Sequence, residues 1–335
     1  MKLLKRFVYL IYYIKNGELN KGKLFSDYAS HHSGKSRLRL LEESVINVFK
    51  YNVSIKDYYQ FRFFELSEAQ KSKWAGSGFM YEYQLKMNPK RSRTVLENKV
   101  EFLECYHKFI RRNYTTINEI KTNNNKLESL LENPSGKLVL KGSMGQVGAE
   151  VEVINCSAYT ANSLFEYMKD NKYDMVEEFV VQHDDLMELS PAGLNTIRIF
   201  TQLNNGIVDI LGARLRITVN SPVDNMAAGN LAAPIDYNTG VINGSAVYSD
   251  ITKADCRTHP VSNKEIIGFH IPYWDETKKM VEDAALHNTS NKSIGWDIAI
   301  SNKGPELIEG NHNWCKLLWQ LPVKTGLKGE LLKYV

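Results

Sequence analysis

Oxygen-bearing side chains near the end of the sequence could bind a hard metal ion. Asp297 lies in the segment IGWDIAI, and Glu309 and Asn311 lie in ELIEGN. If both segments are strands joined by a turn at 302–304, Asp297 lies near Glu309, and strand alternation places Asn311 on the Glu309 face. Two carboxylates and an amide suit Mg²⁺. A pair of surface acids beside a turn asparagine is the alternative that these residues leave open.

A glycine-rich segment in the middle of the chain could bind phosphate groups. The sequence KGSMGQVG spans residues 141–148, between two runs that favour β-strands. Backbone N–H groups in such a loop can donate hydrogen bonds to phosphate oxygens, and Lys141 adds a positive charge. The loop is not a P-loop, because it lacks the GK[ST] ending. An ordinary glycine-rich hairpin turn is the alternative.

Two further segments could contact a nucleotide. The segment DMVEEFVVQHDD, residues 174–185, places acids on both sides of a short apolar strand whose edge could hydrogen-bond to adenine; solvated acids around a buried strand are the alternative. Arg198 lies inside the apolar segment TIRIF, where its charge needs an anionic partner because an unpaired buried charge is costly. That partner is either a structural carboxylate or a phosphoryl group.

The elements that must position these residues follow from hydrophobic spacing. Helical spacing predicts helices, and short β-favouring runs between turns predict strands. The predicted helices are 37–49, 56–66, 94–112, 159–170 and 274–287, and the predicted strands are 137–140, 148–154, 174–182, 196–202, 208–218, 294–301 and 306–310. With residues 1–90 mostly helical, the prediction is an α+β architecture with a helical N-terminal region.

Composition places the chain among ordinary globular proteins. Of its 335 residues, 43% are apolar and 24% are charged, which excludes a disordered chain and allows two or three lobes. The four cysteines show no CxxC spacing, so reduced thiols in a cytoplasmic protein are expected and a disulfide framework is not. The first 50 residues hold ten Lys or Arg and four acids, a net +6 in a chain whose total is +4.

The N-terminal segment MKLLKRFVYLIYYIK combines basic residues with the apolar run 7–14. This run is too short to span a membrane, which takes about 20 residues, and no small-residue cleavage site follows it, so no signal peptide is expected. Two interpretations are open: a first helix packed on the core, or contact of residues 1–15 with the inner face of an anionic membrane. Nucleic-acid binding is not expected, because the basic residues accompany a hydrophobic helix.

The order of the candidate groups resembles that of the ATP-grasp superfamily, and in particular its sugar-transfer-associated group, over about residues 90–320. The segments that carry the resemblance are NTIRIFT (195–201), the loop 224–229, PIDYNTG (234–240), HP (259–260), GFHIPYW (268–274), IGWDIAI (294–300) and GPELIEGN (304–311). The resemblance implies an ATP-grasp fold, in which two α+β lobes, 91–186 and 187–335, clasp ATP behind a helical region, 1–90.

The resemblance also implies a role for each candidate residue. The positions implied to bind ATP are Lys99, Lys141, Ser143, Gly145 and Gly148 at the phosphates and Glu178, Val180, His183 and Asp185 at the adenine and ribose. Arg198 and Lys141 are implied to be catalytic, with Arg198 stabilising the transferred phosphoryl group. Asp297, Glu309 and Asn311 are implied to bind Mg²⁺.

The segment after Asn311 departs from the superfamily pattern, in which a basic residue or Pro-Gly often follows the Glu-x-Asn. Here His312 begins the sequence HNW. Arg214 and Arg216 alternate with Leu215, so they share a strand face, and with His312 they are candidates for binding an acidic substrate. Ordinary strand-surface charge is the alternative for the two arginines.

The resemblance leads to three functional hypotheses. The predicted function is an ATP- and Mg²⁺-dependent ligase that joins a carboxylate to an amine or another nucleophile through an acyl phosphate, in making or modifying a cell-surface polysaccharide. A kinase on the same fold, phosphorylating a sugar hydroxyl, would use the same ATP residues. A non-catalytic nucleotide-binding partner of a glycosyltransferase complex is disfavoured by the intact metal trio.

Overall fold

A helical region opens the computed structural model, which describes residues 2–17, 19–144 and 151–335. Its helices are α1 (Lys2–Lys15), α2 (Leu19–Ser33), α3 (Arg37–Tyr51), α4 (Ile55–Gln60), α5 (Glu68–Lys71) and α6 (Ser77–Met87). The side chains of Ser36, Ser54 and Ser67 accept N-cap hydrogen bonds at α3, α4 and α5, which fixes where these helices begin. The helix predicted over 56–66 is shorter, because Arg62 adopts a left-handed φ of 54°.

A four-stranded antiparallel sheet forms the middle of the chain, with strand order β1-β4-β2-β3. The elements of this part are α7 (Thr94–Glu97), α8 (Lys99–Cys105), β1 (Tyr114–Thr116), α9 (Ile117–Thr122), α10 (Asn125–Leu131), β2 (Lys137–Lys141), β3 (Val151–Asn155), α11 (Ala161–Asp170) and β4 (Met175–Glu178). Leu138 and Val176 of the sheet pack with Leu127 and Leu164 of the helices in one buried cluster. The predicted hairpin on either side of the glycine-rich segment is confirmed by the β2–β3 pairing.

The single helix predicted over 94–112 is wrong. Asn98 divides it, because the Asn98 side chain accepts hydrogen bonds from the backbone N–H groups of Val100 and Glu101 and so caps a new helix, α8. Likewise, the strand predicted over 174–182 is β4 alone and ends at Glu178.

A five-stranded antiparallel sheet follows, with strand order β7-β6-β5-β8-β9. Its elements are α12 (Asp184–Leu189), β5 (Ile197–Asn204), β6 (Ile207–Ile217), β7 (Leu231–Ile235), α13 (Trp274–His287), β8 (Ser293–Ser301), β9 (Gly304–Asn311), α14 (Lys316–Gln320) and α15 (Lys328–Leu332). Helix α13 has the bounds that spacing predicts. The α+β architecture with a helical N-terminal region is therefore confirmed.

The two faces of the five-stranded sheet have different neighbours. Ile197 and Trp296 lie on the face that packs with α8 and α13, in the largest buried cluster. Phe200 lies on the opposite face, in a cluster with Trp314 and with Tyr83 of α6. Helix α8 thus packs on this sheet, although it lies within the predicted lobe 91–186. The predicted lobe boundaries at 90 and 186 stay predictions. In the described part of the chain, no helix is both long enough and apolar enough to cross a membrane.

Candidate functional site

The predicted metal ligands lie on one face of the five-stranded sheet. Because successive strand residues point to opposite faces, Ile197 and Ile199 enter the core while Arg198 lies on the other side. In register, Asp297 of β8 pairs with Arg198 of β5 on one side and with Glu309 of β9 on the other. The predicted proximity of Asp297 and Glu309 is confirmed, and their role as metal ligands stays a prediction.

Asp297 lies at the centre of a buried ion-pair network. Its carboxylate accepts hydrogen bonds from Arg198 Nε and, at 2.7 Å, from Arg198 Nη2, the two-point contact that guanidinium and carboxylate groups favour. Arg216 Nη1 donates to the same carboxylate at 2.7 Å. Although burial alone would raise it, the charges of the two arginines hold the pKa of Asp297 at about 2. The anionic partner that Arg198 requires is therefore a carboxylate of the protein.

Gly295 leaves the space in which Arg198 lies. A Cβ at this position would be 2.7 Å from the Trp314 Cβ and 3.2 Å from the Arg198 Cδ. Carbon atoms do not approach to 2.7 Å without a shift of one of them, and the interior is densely packed. A larger residue here would displace either the indole or the arginine that holds Asp297.

Asp224 extends this network and was not among the predicted site residues. Its carboxylate accepts from Arg216 Nη2 at 2.6 Å and from the Thr196 backbone N–H at 2.8 Å, and also from the Thr196 hydroxyl. Burial raises the pKa of Asp224, against the opposing effect of Arg216. Charge counting could have found it, because two buried strand arginines require more than one carboxylate. Arg216, a predicted substrate residue, is held by two carboxylates of the protein.

Glu309 is the carboxylate of this network for which the described part of the chain provides no ion-pair partner. Asn311 Nδ2 donates to Glu309 Oε1 at 3.0 Å, so the predicted shared face is confirmed. Among the described residues, no lysine or arginine forms an ion pair with Glu309, and burial together with the charge of Asp297 raises its pKa. We call the five charged residues the Asp297 cluster: Arg198, Arg216, Asp224, Asp297 and Glu309.

The Asp297 cluster fits a hard cation in its chemistry. Glu309 and Asn311 offer oxygen ligands, and a cation beside Glu309 would neutralise a carboxylate that forms no ion pair with a described lysine or arginine. The residues described here include no group of three or more His, Cys, Asp or Glu side chains that could hold a metal ion. The predicted trio differs from such a group because one member is an amide and because Asp297 is already paired with arginines.

A second buried network joins the two sheets. Lys141 of β2 forms an ion pair with Glu177 of β4, whose other oxygen accepts from Arg112 Nε at 2.9 Å. Arg112 Nη1 also donates to Glu306 of β9 at 2.8 Å. Burial tends to raise the pKa of Glu177, but the charges of Arg112 and Lys141 lower it to about 2. We call these four residues, Lys141, Arg112, Glu177 and Glu306, the Arg112 cluster.

The start of the glycine-rich loop lies against Lys99. The Lys99 Nζ donates to the Gly142 carbonyl at 2.8 Å, and the Lys99 backbone N–H donates to the Ser143 carbonyl at 2.9 Å. The Ser143 N–H is held at 2.7 Å by Asp174. The predicted phosphate residues Lys99 and Ser143 are thus brought together beside the end of β2. The other two predicted phosphate residues, Gly145 and Gly148, lie outside the described residues.

The predicted adenine and ribose residues lie where the chain passes from one sheet to the other. Glu178 ends β4, and its carboxylate accepts from the backbone N–H and from Nδ2 of Asn113, at 2.9 and 3.0 Å. Val180 follows the strand, with its side chain half-buried. His183 caps α12, its Nδ1 accepting from the Asp185 N–H at 3.2 Å, and Asp185 is exposed. The side chains of Glu178 and His183 therefore already make structural bonds.

The other two substrate candidates make their side-chain contacts outside the Asp297 cluster, although Arg214 pairs in register with Arg198 and His312 directly follows Asn311. Arg214 is 4% exposed, and its guanidinium donates to the carbonyls of Trp319, at 2.6 and 3.1 Å, and of Ala213, at 2.7 Å. Burial lowers the pKa of Arg214 to about 10. His312 Nε2 lies 2.9 Å from a Glu97 oxygen. Arg214 is buried, and Arg216 is partly buried and paired with two carboxylates, so neither is ordinary strand-surface charge.

Comparison with protein families identifies the chain. The model of the sugar-transfer associated ATP-grasp family matches residues 79–335. The chain belongs to this family. The ATP-grasp fold expected from the sequence is confirmed, and the match reaches into α6, upstream of the predicted start of the resemblance near residue 90. No curated protein sequence matches this ATP-grasp chain.

Solved structures similar to this ATP-grasp protein include three ligases of low sequence identity. The ATP-grasp ligase PsnB, complexed with its minimal precursor, is 13% identical over 74% of this chain and 61% of its own, with a TM-score of 0.43. D-alanyl-alanine synthetase A from Vibrio cholerae is 10% identical over 72% of this chain and 61% of its own, with a TM-score of 0.39. The L-amino acid ligase from Bacillus licheniformis is 13% identical over 82% of this chain and 54% of its own, with a TM-score of 0.39. The chain spans less than two thirds of the length of each.

Proposed function

We propose that this protein is an ATP- and Mg²⁺-dependent ligase that activates a carboxylate as an acyl phosphate and transfers it to an amine or another nucleophile. Membership of the ATP-grasp family supports the reaction class. The observation that carries the proposal is Glu309, a carboxylate with no cationic partner among the described residues, next to Asp297 and bonded to Asn311. Similar structures have been solved with Mg²⁺ and ADP, as in a PsnB complex.

The residues in and beside the Asp297 cluster would have different roles in the reaction. Glu309 and Asn311 would hold Mg²⁺ with Asp297, and the bound ATP and Mg²⁺ supply the phosphoryl group and neutralise its charge. Arg198 is fixed by its two-point contact with Asp297, so its guanidinium would present a positive charge in a set position. Positioning and charge neutralisation of this kind account for most of the catalysis in phosphoryl transfer.

The remaining candidates would bind the nucleotide from the other sheet. Lys141 lies at the end of β2, and Lys99, the first residue of α8, contacts the start of the glycine-rich loop, so both could approach phosphate oxygens. The segment from Glu178 to Asp185 connects the sheets, and backbone groups around Val180 would serve the adenine. His183 and Asp185 would lie near the ribose.

The family description supports a role beside sugar transfer, and we place the reaction in the synthesis or modification of a cell-surface polysaccharide, with an acid and an amine as substrates. Location in the cytoplasm is part of this proposal. The cysteines support it, because Cys105, Cys156, Cys256 and Cys315 are all free.

Calorimetric titration of the full chain with ATP tests the proposal. We expect binding that requires Mg²⁺, and we expect Glu309→Gln to weaken it by about tenfold or more, since a lost metal-ligand charge costs more than about 1.4 kcal/mol. Glu276→Gln, the same change at an exposed position of α13, is the matched control and should bind as the unchanged protein does. Absence of ATP binding in the presence of Mg²⁺ would exclude the proposal.

Hydroxylamine trapping separates the ligase from a sugar kinase. An acyl phosphate reacts with hydroxylamine to give a hydroxamate and phosphate, whereas a phosphorylated sugar hydroxyl is stable. We expect ADP release and hydroxamate formation with a panel of sugar acids and amino acids. ADP release with a stable phosphorylated sugar and no hydroxamate would instead establish the kinase.

A further inference from the structure

Helix α1 exposes its apolar side chains. Seven large apolar residues of this 14-residue helix are more than half exposed, namely Leu3, Leu4, Phe7, Val8, Ile11, Tyr12 and Ile14, at 52–72%. A helix that packs on a globular core normally turns its apolar side chains inward. The described residues therefore leave this apolar surface open to solvent.

The side of α1 that faces the protein is held by polar contacts. Arg6, Tyr9, Leu10 and Tyr13 are the half-buried residues of the helix, and their spacing places them on one side. Arg6 Nη1 donates to the Phe49 carbonyl of α3 at 2.6 Å, and the Tyr9 hydroxyl donates to Glu82 of α6 at 3.1 Å. These bonds fix the rotation of α1, so its outward apolar side is a defined surface.

The apolar surface continues from α1 onto α6. Leu4 and Val8 line a shallow groove together with Tyr81 and Leu85, which are 55% and 44% exposed. The Tyr9 and Tyr81 rings meet edge to face at 6.1 Å, which keeps the two helices together. We call this continuous surface, formed by the outward residues of α1 with Tyr81 and Leu85, the α1 surface. Its extent over two helices exceeds the scattered exposed apolar residues that need no explanation.

Charge indicates what covers the α1 surface. Residues 1–17 contain four basic residues and no acidic residue, and Lys5 and Lys15 are exposed beside the apolar side chains. Glu82, the acid that lines the groove, is engaged by Tyr9. Basic residues flanking an exposed apolar helix face are what a helix lying in the interface of an anionic bilayer presents.

We propose that the α1 surface docks this protein on an anionic lipid surface. The apolar side chains would enter the boundary between headgroups and acyl chains, while Lys5 and Lys15 contact the lipid phosphates. The inference is independent of the proposed ligase reaction, since it uses none of the residues of that site.

Flotation of the full chain with lipid vesicles tests this proposal. We expect recovery with mixed phosphatidylcholine–phosphatidylglycerol vesicles, much less with phosphatidylcholine alone, and a decrease at high salt, because the charge contribution is screened. Ile11→Glu should lower the fraction bound by roughly tenfold, since it removes an exposed aliphatic side chain that would enter the bilayer and adds a repelled charge. The double variant Lys5→Glu and Lys15→Glu should lower the fraction bound to the mixed vesicles, but not the fraction bound to phosphatidylcholine vesicles.

The control matches the variant in chemistry. Ile207→Glu makes the same change at a position that is 66% exposed, against 53% for Ile11, and lies at the β5–β6 hairpin outside the N-terminal helices. It should float as the unchanged protein does. Circular dichroism of both variants should show unchanged helix content, because neither position is buried.

Three outcomes would overturn the proposal. The first is no flotation of the unchanged protein with mixed vesicles, and the second is equal flotation with neutral vesicles. The third is equal behaviour of Ile11→Glu and Ile207→Glu. If light scattering then showed a dimer that Ile11→Glu converts to a monomer, the α1 surface would be an interface between copies of the chain.

Discussion

The two buried charge clusters have different internal balances. The Arg112 cluster, which joins the sheets, has two cations and two carboxylates, so its formal charge is zero. The Asp297 cluster, on the five-stranded sheet, has two cations and three carboxylates, so its formal charge is −1. Both clusters are largely buried, and an unbalanced charge is costly in a buried environment.

This difference separates a cluster whose charges are all paired within the protein from one whose charges are not balanced. A balanced cluster is complete without a ligand, and the lowered pKa of Glu177 shows that its partners stabilise the charged form. The raised pKa of Glu309 shows that its surroundings oppose the charged form, which is the condition that a bound cation would reverse. The four predictions that follow test this contrast.

Asp297→Asn should have the largest effect on stability. It leaves Arg198 and Arg216 buried with their shared carboxylate gone, and breaking a buried pair in this way costs about 3–5 kcal/mol. Urea unfolding measures the loss, and the exposed change Asp283→Asn should cost less than about 0.5 kcal/mol. A loss below about 1 kcal/mol for Asp297→Asn would show that the arginines are compensated by other groups.

Acid should weaken the balanced cluster. The pKa of Glu177 is about 2 in the folded protein against an ordinary value of 4.5, so its contribution is present above pH 4.5 and is lost as the pH falls towards 2. Glu177→Gln should therefore cost roughly 3 kcal/mol at neutral pH and almost nothing near pH 2. Urea unfolding across this range measures the difference, with Glu178→Gln on the same strand as the control. A cost of Glu177→Gln that is independent of pH would contradict the assigned role.

Thr196→Val should have a moderate effect through Asp224. The buried Thr196 hydroxyl donates to that carboxylate, and its loss should cost about 1–1.5 kcal/mol. Thr252→Val removes the same type of bond, to Asp250, at an exposed turn, and should cost less than about 0.5 kcal/mol. The midpoints of thermal unfolding of the two variants measure the difference. Equal decreases would argue against a stabilising role for the buried hydrogen bond from Thr196 to Asp224.

Glu309→Gln should have the smallest effect on stability, and the opposite sign. Because burial and Asp297 raise the pKa of Glu309, its charged form is less favourable in the folded than in the unfolded protein, so ionisation destabilises the fold as the pH rises above 4.5. The variant should be more stable than the unchanged protein at neutral pH, and this difference should disappear well below pH 4.5. Destabilisation at neutral pH would mean that Glu309 has a cationic partner after all.

The sequence predicts contacts between neighbouring strands better than contacts between distant segments. Alternation and the short turn at 302–304 were enough to place Glu309 opposite Asp297 and beside Asn311. Residues two apart on one strand, or facing each other across a tight hairpin, have few alternative arrangements. The metal trio was therefore found from local spacing.

Long-range partners could not be predicted in this way. Arg112 and Glu306 are separated by 194 positions, and no local pattern links them. Asp224 lies in a loop, where position is set by tertiary contacts and not by periodicity. The break at Asn98 was missed because the apolar spacing of 94–112 continues across it, while one side-chain cap decides the backbone.

Arg112 has a consequence for how the two halves of the molecule move. The chain crosses between the sheets at residues 110–113 and again at 179–183, and Arg112 fastens the first crossing to carboxylates from both sheets. The second crossing is fastened where Gln182 pairs with Ser301. Swinging the sheets apart would expose a buried guanidinium and two acids. We therefore expect the two sheets to keep their relative position when substrates bind.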